Sequence, residues 1–290
     1  MKKNAPLFCL FSFLISCHSS DHEPTTTIDQ LASQQTSLEP FADSLVRLNK
    51  YAPESINAAA NYYQGLVPAD STLADSAAVM FLRHVSTVVD SINQQLYRDT
   101  IDYSALVYNH GNNVPEEQKQ FQQNLARHHV VLQGDGEGGV YAVPDYAWIN
   151  RVLQPKTSVA ADSYLSLLAK EEKDPTLLDA GLAINIQELV ERLIASETLM
   201  RQKLPRSFLE DVSRKQKFYT GTLLFGSDNS PALAYNELSF TEEYQKGYDY
   251  LLTTYPNSTP AQLVKEWQAI VRAKDSKKVE EWRTKYNPYG

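Results

Sequence analysis

From Ile28 onward, apolar side chains recur mostly at three- and four-residue steps, the spacing that gathers them on one face of a helix. An amphipathic segment from Ile28 to about Lys50 carries Leu31 and is interrupted at Pro40. Pro53 suits the first turn of a second helix that runs through Ala58, Ala59 and Ala60 to Gly65. Asp70 or Ser71 can cap a long third helix, whose stripe is Leu73, Ala77, Phe81, Val85, Val88, Ile92 and Leu96. A short helix is expected around Tyr103 to Tyr108, and Pro115 opens another to about Arg127. Asp145 caps a helix carrying Trp148, Ile149, Val152 and Leu153, and a further one spans Asp162 to Glu172. Asp174 and Pro175 start the most regular stripe: Leu178, Leu182, Ile186, Leu189, Leu193 and Met200. Capping boxes, Ser207 with Glu210 and Ser239 with Glu242, open helices ending at Phe225 and near Tyr255. Thr259 and Pro260 begin the last, which carries Trp267 and Trp282 and has a break near Asp275.

One stretch departs from the helical period. Val130 to Leu132 and Gly139 to Val143 have strand composition and flank the glycine-rich Gln133–Gly139 connection, which predicts a two-stranded ribbon. A lone hairpin is marginal in water, so it must pack on helices. The expected fold class is all-α: an irregular multi-helix array of antiparallel helices with one small β-hairpin near 128–143. Gly111 to Pro115 is the clearest internal break, so the helical body, 28–290, has possible lobes 28–112 and 113–290.

The first residues obey a different logic. Lys2 and Lys3 precede an apolar run, Leu7 through Ile15, too short for the roughly 20 residues that span a bilayer but suited to a secretory leader. Leu14-Ile15-Ser16-Cys17 follows, and it resembles the lipobox of bacterial lipoproteins. The resemblance implies a signal peptide over 1–16, a diacylglycerol on the Cys17 sulfur, and an acylated new amino terminus. Each buried methylene contributes about 0.8 kcal/mol, so two or three acyl chains make a durable membrane anchor. Residues 17–27 read as a polar, flexible tether. Asp21 and Glu23 resemble the acidic export signal of lipoproteins from Bacteroidota-type bacteria, although a solvated linker explains them equally. The implied location is the bacterial cell envelope at its outer membrane, with the periplasmic or surface face undecided.

Three junctions share a phrase: Tyr51-Ala-Pro-Glu-Ser55, Leu204-Pro-Arg-Ser207 and Tyr255-Pro-Asn-Ser258. The last resembles a junction in tetratricopeptide-like envelope lipoproteins. A regular 34-residue period is missing, and generic helix stop-start chemistry produces the same phrases.

Composition narrows the chemistry. With 27 basic and 35 acidic residues the formal charge is -8, a poor match to a phosphate backbone, so nucleic acid is not expected as a partner. Cys9 is lost with the leader, which leaves no disulfide or thiol chemistry once Cys17 is acylated. Sequence patterns for zinc proteases, serine hydrolases, phosphate loops and EF-hands are missing, and no cofactor or metal is expected. His18 and His22 fall in the tether, and His84 flanks the third helix's stripe. The weak catalytic candidates are His128, Asp135 and Glu137: an imidazole joining a carboxylate across the hairpin would make a general base or a metal ligand pair. The competing reading is a helix-to-strand junction with solvated imidazoles. The loop 134–139 reads first as a turn, 226–231 as a helix connection, and Glu188, Glu191 and Glu197 with Arg192 as a solvated helix face. The 17 tyrosines, crowded at Tyr235, Tyr244, Tyr248, Tyr250 and Tyr255, suit either helix packing or a protein, peptide or glycan surface. The leading expectation is a lipid-anchored, non-enzymatic binding or scaffold module. The alternatives are an envelope hydrolase with a non-standard His/carboxylate site and an inhibitor or immunity-type lipoprotein.

The anchor has a direct test. Mass spectrometry of chain purified from bacterial membranes should find Cys17 as the acylated amino terminus, and Cys17→Ser should release the protein from the membrane fraction. A free thiol at position 17 in a soluble chain would defeat the reading.

Overall fold

The computed structural model describes residues 37–108, 114–235 and 239–286. The leader, Cys17, the tether, residues 28–36 of the first predicted helix, His110 and Gly111 lie outside the described residues.

The fold is all-α with small β-hairpins. In chain order, α1 (Glu39–Val46), α2 (Glu54–Gly65) and α3 (Ser71–Arg98) come first, then α4 (Ser104–Tyr108) and α5 (Glu116–Arg127). Strands β1 (Val130–Gly134) and β2 (Val140–Pro144) lead into α6 (Tyr146–Leu153) and α7 (Val159–Lys173). Then follow β3 (Leu177–Leu178), β4 (Gly181–Leu182), α8 (Ile186–Met200) and α9 (Arg206–Phe225). Strands β5 (Gly226–Ser227) and β6 (Ser230–Pro231) precede α10 (Glu242–Thr254), α11 (Thr259–Arg272) and α12 (Ser276–Lys285). No described helix is long and apolar enough to cross a membrane.

The predicted stripe of α3 is the floor of the first core. Ala77, Phe81, Val85 and Val88 are almost fully buried against Ile56 and Tyr63 of α2 and against Ile149 and Leu165 further along the chain. That cluster holds residues from both sides of the Gly111 break. Leu199, Leu204, Phe208 and Val212 belong to it as well. A second cluster is built from Ile186, Leu189 and Leu193 of α8, Leu223 of α9, Tyr248 of α10 and Trp267 of α11. Helices α8 and α9, packed on each other, therefore serve both cores.

Polar side chains fix the elements locally. The Asp70 carboxylate accepts from the Leu73 amide (2.8 Å), Asp145 from that of Trp148 (2.8 Å) and Asn185 from that of Glu188 (2.8 Å), each satisfying a free donor in a helix's first turn. Ser158 caps α7 and is itself held by the buried Asp75 of α3, which accepts from its amide (2.8 Å) and its hydroxyl (2.6 Å). The predicted ribbon forms, with Gln133 opposite Tyr141. Asn93 of α3 takes its edge: the side-chain amide donates to the Ala142 carbonyl (3.0 Å) and accepts from the Ala142 amide (2.6 Å).

Several expectations are corrected. Pro40 stands in the first turn of α1, where its missing N–H costs nothing. α7 starts three residues ahead of Asp162. The stripe read from Asp174 begins two turns too early, because Leu177 to Leu182 form a hairpin instead. Asp179 and Ala180 both take positive φ (48° and 51°) in its turn, and α8 starts only after Asn185. Ser207 lies inside α9, which Pro205 precedes, and α10 is preceded by Thr241 rather than Ser239, so neither capping box forms. Three ribbons are present among the described residues where one was expected. The third accounts for the 226–231 loop. Its Asn229 donates to the carbonyls of Asp179 (2.6 Å) and Ala180 (3.0 Å), binding one hairpin turn to the next. The break near Asp275 is present, with Lys274 at φ 54° and Asp275 capping α12.

Gly226 ends α9 at φ 79°, and a Cβ there would overlap the Ser230 carbonyl and the Ala232 amide. Gly226→Ala should lower unfolding free energy by about 1–3 kcal/mol, the scale of strained backbone. Gly65→Ala, where an added Cβ meets nothing, should raise it by up to about 1 kcal/mol. Urea unfolding of both variants checks the opposite signs.

Candidate functional site

The structure does not bring His128, Asp135 and Glu137 together. His128 ends α5 at the open end of the ribbon, whereas both acids sit at its turn, about 16 Å away at roughly 3.3 Å per strand residue. Asp135 organises that turn. Its carboxylate accepts from the amides of Glu137 (2.8 Å) and Gly139 (2.9 Å) and from the Tyr108 hydroxyl (3.2 Å). Those bonds, led by the one from Glu137, hold its pKa below the usual carboxylate value. Glu137 is exposed. His129 lies flat on Trp148, with ring centroids 3.7 Å apart and planes 7° apart, at a φ of 60°. Among the described residues no group of three or more His, Cys, Asp or Glu side chains is placed to hold a metal ion.

The charged face of α8 is buried or half-buried, and its charges are partnered. Arg192 is buried; its Nε donates to Glu188 (2.9 Å) and its Nη1 to Thr176 (3.0 Å). Glu191 accepts from the hydroxyls of Tyr250 (2.5 Å) and Tyr255 (2.8 Å), which raises the pKa of Tyr255 to about 12. Glu197 accepts from Arg201 (2.6 Å) and from the Thr259 amide (3.0 Å). Most of the crowded tyrosines are packing residues. Tyr244 and Tyr248 are buried, and the Tyr248 hydroxyl donates to the Leu223 carbonyl (3.0 Å), while Tyr235 is exposed. His84 is more than a flanking residue: its Nε2 lies 3.0 Å from the Ser55 hydroxyl.

The groups with chemical potential gather elsewhere. A cavity of about 310 Å³ opens where α3, α6, α7 and α9 meet. Arg83 and Ser86 of α3 and Tyr146 of α6 face Asp211, Arg214 and Lys215 of α9 across it. Asp211 is already spoken for. It accepts from the Tyr164 hydroxyl (2.9 Å) and from Arg214 (2.9 Å), and Lys215 lies 4.0 Å away. Behind it, Glu171 of α7 receives both the Lys215 ammonium and the Tyr219 hydroxyl. Arg83 makes no ion pair among the described residues. Burial, with Asp211 and Glu171 nearby, pushes the Tyr146 phenol up to about 12. Burial and Asp211 push Tyr164 up as well, and burial and Glu171 push up Tyr219.

The resulting site is rich in donors. Both carboxylates here, Asp211 and Glu171, accept from two donors each. Arg83, Arg214 and Lys215 line the cavity, but Arg214 is paired with Asp211 and Lys215 with Glu171, so the cation left without an ion-pair partner among the described residues is Arg83. A second cavity, of about 630 Å³, lies between α1 and α3 and shares Arg83 as a lining residue. Its other walls include Val46, Leu48, Tyr51 and Met80, with Val46 and Tyr51 well exposed. Neither Arg83 nor the α9 charges carry a sequence motif. The only trace is spacing: Val79, Arg83 and Ser86, like Ser207, Asp211 and Arg214, recur at steps of three and four.

The histidines set an acid limit. Burial lowers the pKa of His84 and of His129 below 6.5. The unfolded chain therefore binds more protons than the folded one as pH falls through that value, and stability is lost in that direction. Urea midpoints should be steady above pH 7 and decline below about pH 6.5, and His84→Gln with His129→Asn should flatten that decline.

In comparisons with protein-family models, with characterised proteins and with solved structures, the chain matched none.

Proposed function

We propose that the chain is a lipid-anchored protein of the bacterial cell envelope, held through Cys17, whose helical body is a binding module rather than a catalyst. Its binding face is the side of α3 that carries Arg83. The occupant is a segment of a partner protein that presents an acidic and an apolar side chain close together. The acid enters the cavity of Arg83, Arg214 and Lys215, and the apolar group covers Val46, Tyr51 and Met80.

The observation that carries this reading is Arg83 itself, an exposed guanidinium without an ion-pair partner among the described residues, standing between an apolar cavity and a cationic one. Arginine suits that position, because its planar fork recognises carboxylates bidentately and stacks on rings. Arg214 and Lys215 compensate Asp211 and Glu171, so the charge that an incoming carboxylate meets is that of Arg83, in a chain of net charge -8.

Photocrosslinking on intact cells tests it. A photoreactive residue at position 46 of the anchored chain should form one defined protein adduct. Arg83→Glu should reduce that adduct at least tenfold, while the distant Lys246→Glu should leave it unchanged. An adduct indifferent to Arg83→Glu, or no adduct from position 46, would refute the assignment.

A further inference from the structure

A third cavity lies on the other core, away from Arg83. It holds about 420 Å³, inside the range of roughly 300–1,000 Å³ usual for small-molecule sites. Helix α9 supplies Thr220, α11 supplies Pro260 and Leu263, and the end of α12 supplies Tyr286. One wall is anchored in the core by stacked rings. Tyr286 packs on Trp282 at 5.0 Å, and Trp282 lies nearly parallel to the buried Trp267 at 5.8 Å.

The charges at this cavity have one sign. Lys217 and Lys285 line it, both are exposed, and neither makes an ion pair among the described residues. Among the described residues no carboxylate lines it. The nearby Glu197 is compensated by Arg201 and by the Thr259 amide. The start of α11 also lines the cavity, but its amides are already taken: Thr259 donates to Glu197, and Ala261 to the Ser258 hydroxyl. An anionic head would therefore be held by the two ammonium groups and not by the helix end.

We propose that this cavity is a binding site for a soluble amphipathic monocarboxylate, an acyl chain with one carboxylate head. The chain lies on Pro260, Leu263 and the Tyr286 ring, where its methylenes leave water. The head reaches the rim between Lys217 and Lys285. A small hydrophilic anion gains little here, because the walls give it nothing apolar to bury. A cationic amphiphile of the same length is repelled by the same two lysines. The site is independent of the Arg83 face.

Calorimetry on the full chain with laurate, kept below its micelle-forming concentration, tests the proposal. One laurate should bind per chain, with a change in the fluorescence of Trp267 and Trp282. Lys217→Glu combined with Lys285→Glu, both at exposed positions, should weaken binding at least tenfold, and Leu263→Asp should abolish it. Dodecylamine, dodecanol and acetate should each bind at least tenfold more weakly than laurate. Arg83→Glu should leave laurate binding unchanged. Absence of saturable binding, equal affinity for dodecylamine, or indifference to the double lysine reversal would overturn the proposal. So would association of the unlipidated chain with zwitterionic vesicles in place of laurate binding.

Discussion

A carboxylate placed between packed helices must be compensated, since a stranded buried charge costs several kcal/mol, and the partly buried Glu171 meets that constraint where α7 meets α9. It stands on α7 and accepts from Lys215 and Tyr219, one turn apart on α9. Below it on α9, Asp211 gathers Tyr164 and Arg214. Above it, Tyr219 already belongs to the second hydrophobic cluster. Polar contacts thus fix how α9 sits on α7, and α9 in turn carries side chains into both cores. Apolar packing alone tolerates sliding of one helix on another. A carboxylate that must meet an ammonium and a phenol at once does not, and this kind of register role is the best-attested use of buried charge.

The same constraint explains the character of the α3–α9 cavity. Its acids are consumed in holding helices together, so the groups left facing the opening are donors. Arg83, across on α3, has no such structural task among the described residues. Structure and recognition are divided: the carboxylates with Arg214 and Lys215 join the helices, and Arg83 is left facing outward.

Much of the fold was legible in the sequence, because helix stripes and caps act locally. The α3 stripe, the Asp70 and Asp145 caps, the 130–143 ribbon and the break at Asp275 all follow from residues within one or two turns of each other. What misled was periodicity without its context. Leu178 and Leu182 continue the α8 stripe in spacing, but Pro175 and the Asp179-Ala180-Gly181 turn end any helix there, and a ribbon of two-residue strands leaves no alternating pattern to read. The supposed Ser207 capping box failed for a related reason, since a serine three residues before a glutamate says nothing about where Pro205 places the first turn. The candidate site was barely legible. Arg83, Asp211 and Lys215 look like ordinary surface charges until α3 and α9 are known to be neighbours. The adjacent histidines drew attention by rarity, yet the five residue pairs of the ribbon separate His128 from the acids at its tip.

Asn93 has a consequence for how this chain behaves in a crowd. A two-stranded ribbon has open edges, and an unpaired edge is a template on which a second molecule can add a strand. By donating to and accepting from Ala142, the Asn93 amide imitates a backbone peptide and fills the hydrogen-bonding position that an intruding strand would claim. A helix thereby caps a sheet, and β2 is shielded at that point from the intermolecular pairing that starts fibril growth when molecules stand close together.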